Sequence, residues 1–290
     1  MRRAPSRAVS LLAAPFLIVS ILFFLPLAMM AGESFLGDRA DQSAGVSLAQ
    51  YARFFSDSYY ITSLWVTFLT ALAVTAIAIV VAYPVALVYW RARRPIRAVM
   101  LVLLLAPFYL SMVVKVFGWM LVLAPGGIVN ALLLSSGALA APIDMLNGYV
   151  AIVMVSVHRC LPFVVLLLAT AMGGIDDEVL ESAQLCGAPP RRVFRSIILP
   201  LSMPGVVASA IVGFSLTASG FVIPRLVGGA AGAQFAPVLL YRQIAVTQNW
   251  PFAAAIGVVL LVASILTIGV GARLARTARA GRILSDSFVQ

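Results

Sequence analysis

Charge, lysine, histidine and cysteine are all scarce in this chain of 290 residues. Only 10% of its residues are charged, against about 25% in a typical soluble domain, while 62% are hydrophobic and the mean hydropathy is +1.06. Such a composition excludes an ordinary soluble globular protein. The one lysine, Lys115, lies inside the apolar run VVKVFGW, so the chain has no GxxxxGK phosphate loop and cannot hydrolyse ATP by that route. One histidine, His158, and two cysteines, Cys160 and Cys186, are too few for the clustered ligands of a zinc centre, and no metal site is expected. Cys160 stands in an apolar run and Cys186 in a polar one, which reads as two unpaired thiols.

What the chain has instead is arginine and long apolar runs. The formal net charge is +10, and 19 of the 20 basic residues are Arg. A nucleic-acid surface would gather such cations on a solvated face. Here they fall in short clusters between apolar stretches of bilayer length, so a membrane is expected and nucleic acid is not. Six helical spans are read at about 9–31, 61–90, 98–124, 148–172, 201–223 and 251–272. Pro15, Pro26, Pro84, Pro107 and Pro162 lie in or near them, where neighbouring helices can satisfy the freed backbone groups.

The arginines also orient the chain. With a cytoplasmic N-terminus, the inner segments hold Arg2, Arg3, Arg7, Arg91, Arg93, Arg94, Arg97, Arg191, Arg192, Arg195, Arg273, Arg276, Arg279 and Arg282. The outer segments hold Arg39, Arg53, Arg225 and Arg242. This positive-inside bias places both termini in the cytoplasm, and the first apolar run, longer than a signal peptide's and without a clear A-x-A site, reads as an uncleaved span. The apolar stretch Ile128 to Ala141 is too short to cross, is bracketed by Pro125-Gly126-Gly127 and Pro142, and reads as a short helix at the outer interface.

The only sizeable inner connection, residues 173–200, reads as two short helices joined by a break. Asp176 is a candidate N-cap, Asp177 and Glu178 suit the first turn, and Gly187 suits the left-handed position after a helix running about 177–186. Pro190 opens the second helix, with Val193, Phe194 and Ile197 at helical spacing.

Glu181-Ser182-Ala183, then Gly187, then Ile197-x-Leu199-Pro200 resembles the EAA loop of ABC importer permeases, departing from it at Ser182, where the family has Ala. Further segments are similar in order and spacing to permeases of the spermidine/putrescine type. They include Tyr51-Ala52-Arg53-Phe54-Phe55, Tyr83-Pro84, Ala106-Pro107-Phe108, Gly126-Gly127-Ile128-Val129-Asn130, Leu161-Pro162-Phe163, Gly228-Gly229 and Asn249-Trp250-Pro251-Phe252. The resemblance implies an all-α, six-span type I importer permease forming a single transmembrane domain over 1–290 in the bacterial inner membrane. It implies that the loop docks in a groove on an ATPase subunit, and that the assembly has two such subunits, which bind the ATP and Mg while this chain binds no cofactor. A periplasmic binding protein and a second permease subunit, a paralogue, complete the assembly it implies, and the solute it implies is a polyamine or a related amine.

Two basic residues fall inside spans, Lys115 and Arg159, where a charge is costly unless it meets a partner or water. They are expected to face the bundle interior, either lining a translocation path with His158, Trp119 and Phe117 or bonding backbone carbonyls as a packing device. The acids all lie outside the spans: Glu33, Asp38, Asp41, Asp57 and Asp144 on the outer side, and Asp176, Asp177, Glu178, Glu181 and Asp286 on the inner. A dication path would be expected to contain acids or aromatic cages. The in-span charges therefore point toward an anionic or zwitterionic solute, whereas the resemblance points toward polyamines. An intramembrane serine protease is disfavoured because Thr217-Ala218-Ser219-Gly220 lacks the Gly two residues before the Ser, and an ion-coupled carrier because intramembrane acids and inverted repeats are not evident.

Overall fold

The computed structural model describes residues 5–37 and 45–287, with side chains described for 15–37 and 45–273. Arg2, Arg3, Asp38, Arg39 and Asp41 lie outside the described residues, and Arg7, Arg276, Arg279, Arg282 and Asp286 outside the described side chains. The elements in chain order are α1 (Pro5–Ser34), α2 (Ala49–Ser56), α3 (Ser58–Arg91), α4 (Arg94–Leu105), a 3₁₀ turn (Ala106–Tyr109), α5 (Met112–Leu123), α6 (Ile128–Ser135), α7 (Tyr149–Met172), α8 (Asp177–Leu185) and α9 (Pro190–Val193). A π-turn (Phe194–Ile198) then leads into α10 (Leu199–Ala218), α11 (Val222–Val227), α12 (Gly229–Gly232), α13 (Ala236–Ala245) and α14 (Trp250–Ser287). Among the described residues, six stretches are long and apolar enough to cross a membrane: Pro15–Ser34, Ser58–Arg91, Met112–Ser135, Tyr149–Met172, Pro190–Ala218 and Trp250–Arg273.

Two of the expected spans take a different form. The third, read as one helix over 98–124, is broken between α4 and α5. Pro107 has no N–H to continue the ladder, and after the 3₁₀ turn Leu110 (φ −90°, ψ 136°) and Ser111 (φ −54°, ψ 139°) are extended. The membrane-length stretch there is Met112–Ser135, itself turned at 124–127. The fifth, read as 201–223 after a separate loop helix, is continuous from Pro190 to Ala218 and stops at Ser219-Gly220. Pro200 does not end it because the ladder widens just before, with the Leu199 N–H reaching the Phe194 carbonyl in an i→i+5 bond.

By internal contacts the chain divides into two compact units. One comprises Met1–Thr62 and Leu239–Ala263, and its core is Phe54, Tyr60, Leu239, Phe252 and Ile256. Tyr60 meets Phe252 edge-on at 4.9 Å, and the Arg53 guanidinium lies 4.4 Å from the centre of the Phe252 ring. Asn249 Oδ1 accepts the Phe252 N–H and caps the start of α14. The Tyr51–Phe55 and Asn249–Phe252 segments, distant in sequence, thus build one aromatic cluster.

The other unit comprises Ser63–Val238 and Ser264–Gln290. Its larger core joins α3 and α7 to the 173–200 loop through Val74, Ala78, Val164, Leu168, Met172, Leu180 and Ile198. Helices α7 and α10 pack backbone to backbone at Gly205, where a Cβ would stand 2.5 Å from the Ala171 Cβ and 3.1 Å from the Leu167 carbonyl oxygen. Without that glycine the two helices could not approach so closely. A second core, around Val116, Leu123, Ile152, Phe235 and Val238, supports α5 against α7.

Candidate functional site

Lys115 and Trp119 stand four residues apart on α5, so they share a face. His158 and Arg159 are neighbours on α7. These four side chains wall a cavity of about 160 Å³, together with Phe108, Phe163 and backbone from the end of α10. Phe117, two residues from Lys115, falls on the far side of α5; it is 52% exposed and outside the cavity. Adjacency in sequence grouped it with the others, but the helical period separates it.

Each basic group has one bond to a backbone carbonyl. Lys115 Nζ donates to the Pro107 carbonyl (2.9 Å), which the break between α4 and α5 has left without a helical partner. Arg159 Nη1 donates to the Leu216 carbonyl on α10 (3.1 Å). Trp119 Nε1–H donates to His158 Nδ1 (3.3 Å), with the rings 5.4 Å apart and near edge-on. A neutral imidazole accepting at Nδ1 carries its proton on Nε2. Lys115 and Arg159 thus line this cavity and at the same time bond backbone carbonyls. The residues that sequence reasoning did not connect are Phe108 and Phe163, whose rings meet edge-on at 4.8 Å. The signal was the pair of similar tripeptides, Ala106-Pro107-Phe108 and Leu161-Pro162-Phe163, each placing an aromatic after a proline.

At the other end of the same unit, Asp176 occupies the N-cap of α8, although its side chain makes no capping bond, and Asp177 and Glu178 fill the first turn. Gly187 takes φ +71°, with the Gly187 N–H on the Gln184 carbonyl (2.9 Å) and the Ala188 N–H on the Ala183 carbonyl (3.1 Å). These two bonds are a Schellman closure, and they turn the chain sharply into α9. Leu180 is buried, and Ala183, Ile197 and Leu199 pack against the core. Glu181 and Ser182 are exposed, Ser182 Oγ bonding back to the Glu178 carbonyl, and Pro200 lies in the first turn of α10. Leu185 is 89% exposed, an apolar side chain presented to whatever covers this loop.

Residues 75–280 match the family described as the inner membrane component of binding-protein-dependent transport systems. The chain is 31% identical over 268 residues to the spermidine/putrescine transport system permease protein PotB of Salmonella typhimurium strain SL1344, covering 91% of each. It is 29% identical over 223 residues to the PotB of Haemophilus influenzae, covering 77% of each. In fold it is similar to a bacterial ABC transporter that imports the acidic polysaccharide alginate, with a TM-score of 0.73, 17% identity, and coverage of 93% of this chain and 96% of that one. The chain belongs to the family of inner-membrane components of binding-protein-dependent transport systems. It is a multi-pass, all-α permease subunit of an ABC importer, a transport protein of the inner membrane.

Proposed function

We propose that this chain pairs with a second permease subunit, a paralogue, that its loop 173–200 docks on an ATPase subunit, one of two in the assembly, and that a periplasmic binding protein delivers solute from the other side. Both termini lie in the cytoplasm, in keeping with the arginine distribution. The ATPases bind the ATP and Mg, and alternating access follows as nucleotide and solute stabilise different conformations. The solute is a small amine, in keeping with the spermidine/putrescine permeases among the relatives.

The observation that carries this reading is one continuous helix, Pro190–Ala218, that runs from the loop to the cavity. Glu181, Ser182, Ala183 and Gly187 shape the docking surface, Ile197, Leu199 and Pro200 lead out of it, and the helix they belong to carries in its last turn the Leu216 carbonyl held by Arg159 on the cavity wall. Displacement of α8 by an ATPase would be transmitted along that rod to the cavity. The test is reconstitution with the partner subunits encoded beside this chain. Labelled amines should accumulate in proteoliposomes only with binding protein, ATP and both ATPase copies present. Solute movement by this chain without an ATPase would overturn the reading.

A further inference from the structure

We propose that the cavity between α5 and α7 receives an oxyanion, so that the transported amine also carries an acidic group. The inference rests on reading the chain as a permease subunit and narrows the solute class. The polar side chains on the cavity wall are Lys115, Trp119, His158 and Arg159. All four present hydrogen-bond donors, and the wall carries no carboxylate, hydroxyl or side-chain amide. The carbonyls of Pro107 and Leu216 are already bonded to Lys115 and Arg159. Trp119 N–H is spent on His158 Nδ1, which leaves the imidazole Nε2–H as a donor.

The ammonium has three donors and the guanidinium five, and each spends one on a backbone carbonyl. The remaining donors belong to side chains of one cavity whose wall offers no side-chain oxygen. Among the described residues, every acid lies outside the six membrane-length stretches except Glu33, near the end of the first. A dication entering the cavity would meet two like charges in a poorly solvated site, which costs several times more than in water. A carboxylate or phosphonate would supply the missing acceptors and neutralise both cations, Arg159 being suited to a bidentate grip. The Phe108 and Phe163 rings, packed edge to face, give the solute's carbon chain an apolar wall.

The test uses the whole permease–ATPase complex in nanodiscs without binding protein, and three probes of matched length: putrescine, 4-aminobutyrate and 3-aminopropylphosphonate. At equal ionic strength, 4-aminobutyrate or 3-aminopropylphosphonate should raise the thermal midpoint by about 2 °C or more, whereas putrescine should not. Which acidic probe acts tells carboxylate from phosphonate. Lys115→Gln and Arg159→Gln should each abolish the shift, and Arg159→Lys should keep part of it. If Arg159→Gln does not assemble, Lys115→Gln and Arg159→Lys still decide the matter. No shift with either acidic probe, as when an acid of the second permease subunit already neutralises the site, would overturn the proposal. So would a shift with putrescine alone, or an acidic-probe shift that survives in the variants. Binding-protein-stimulated ATP hydrolysis by the unaltered complex checks the permease reading separately, so the two can fail independently.

Discussion

Asn130 is fully buried, and its side chain spans three backbone groups. Its Nδ2 donates to the carbonyls of Ala124 (3.0 Å) and Ile143 (2.9 Å), and its Oδ1 accepts the Ile143 N–H (2.9 Å). It therefore clamps both ends of the segment that holds α6, with its own side chain buried. Asn130→Ala should cost about 1–3 kcal/mol, since buried partners are left unsatisfied, and be read as a lower thermal midpoint and lower yield in detergent. Asn130→Asp keeps the acceptor and loses the two donors, so it should be little better. Gly187 differs in kind. A Cβ there would meet nothing within 4 Å, so the demand for glycine comes from φ +71° alone. Substitution should then follow backbone preference: Asn is tolerated best, Ala costs about 1 kcal/mol, and β-branched Val costs most. Binding-protein-stimulated ATPase activity, normalised to co-purified ATPase, should fall in that order. A Gly187→Val protein that transports normally would show that the turn does not govern coupling.

At the scale of elements, the packing of α7 on α10 depends on Gly205. Gly205→Leu would drive a side chain into the Ala171 Cβ and the Leu167 carbonyl, so the helices must separate. The expected result is loss of assembled complex, and Gly205→Ala should be milder and partly rescued by Ala171→Gly, which removes the nearest atom. Helix α7 was legible in the sequence almost to the residue, 148–172 against Tyr149–Met172, because glycines bound a mostly apolar run of membrane length. The α8 turn was legible because it needs a left-handed residue and has one glycine to supply it. The broken third span was not legible from apolarity, which is blind to a chain break between equally apolar neighbours. Proline content did not betray it either, since Pro15, Pro26, Pro84 and Pro162 all sit in uninterrupted helices. What distinguishes Pro107 is a tertiary partner: Lys115 reaches back to its carbonyl and stabilises the open conformation. The π-turn was hidden for a similar reason. Its neighbours Tyr83, whose hydroxyl lies 2.7 Å from Ser202 Oγ and whose ring meets Phe194 edge-on at 5.6 Å, come from α3 and are remote in sequence.

At the scale of the whole molecule, the arginine distribution and the six membrane-length stretches together make a claim about sidedness. Each arginine-rich connection follows an even number of crossings when the N-terminus is inside, and a seventh crossing near α6 would put Arg191, Arg192 and Arg195 on the wrong side. Helix α6 has only eight residues, about 12 Å of rise, which cannot span a hydrocarbon core of about 30 Å. Cysteine accessibility tests the claim directly. Native Cys160 is buried, whereas Cys186 is exposed at the end of α8 and is itself a reporter, so the background should be Cys186→Ser. A membrane-impermeant maleimide applied to whole cells whose outer membrane has been permeabilised should label Gly45→Cys. Leu185→Cys should react only after the inner membrane is opened, and native Cys186 should behave like it. Both positions are exposed in the folded chain, so failure to label reflects sidedness and not burial. If Gly45→Cys and Leu185→Cys react from the same side, the loop carrying Glu181 and Gly187 does not face the cytoplasm from a chain of this orientation, and an ATPase could not reach it.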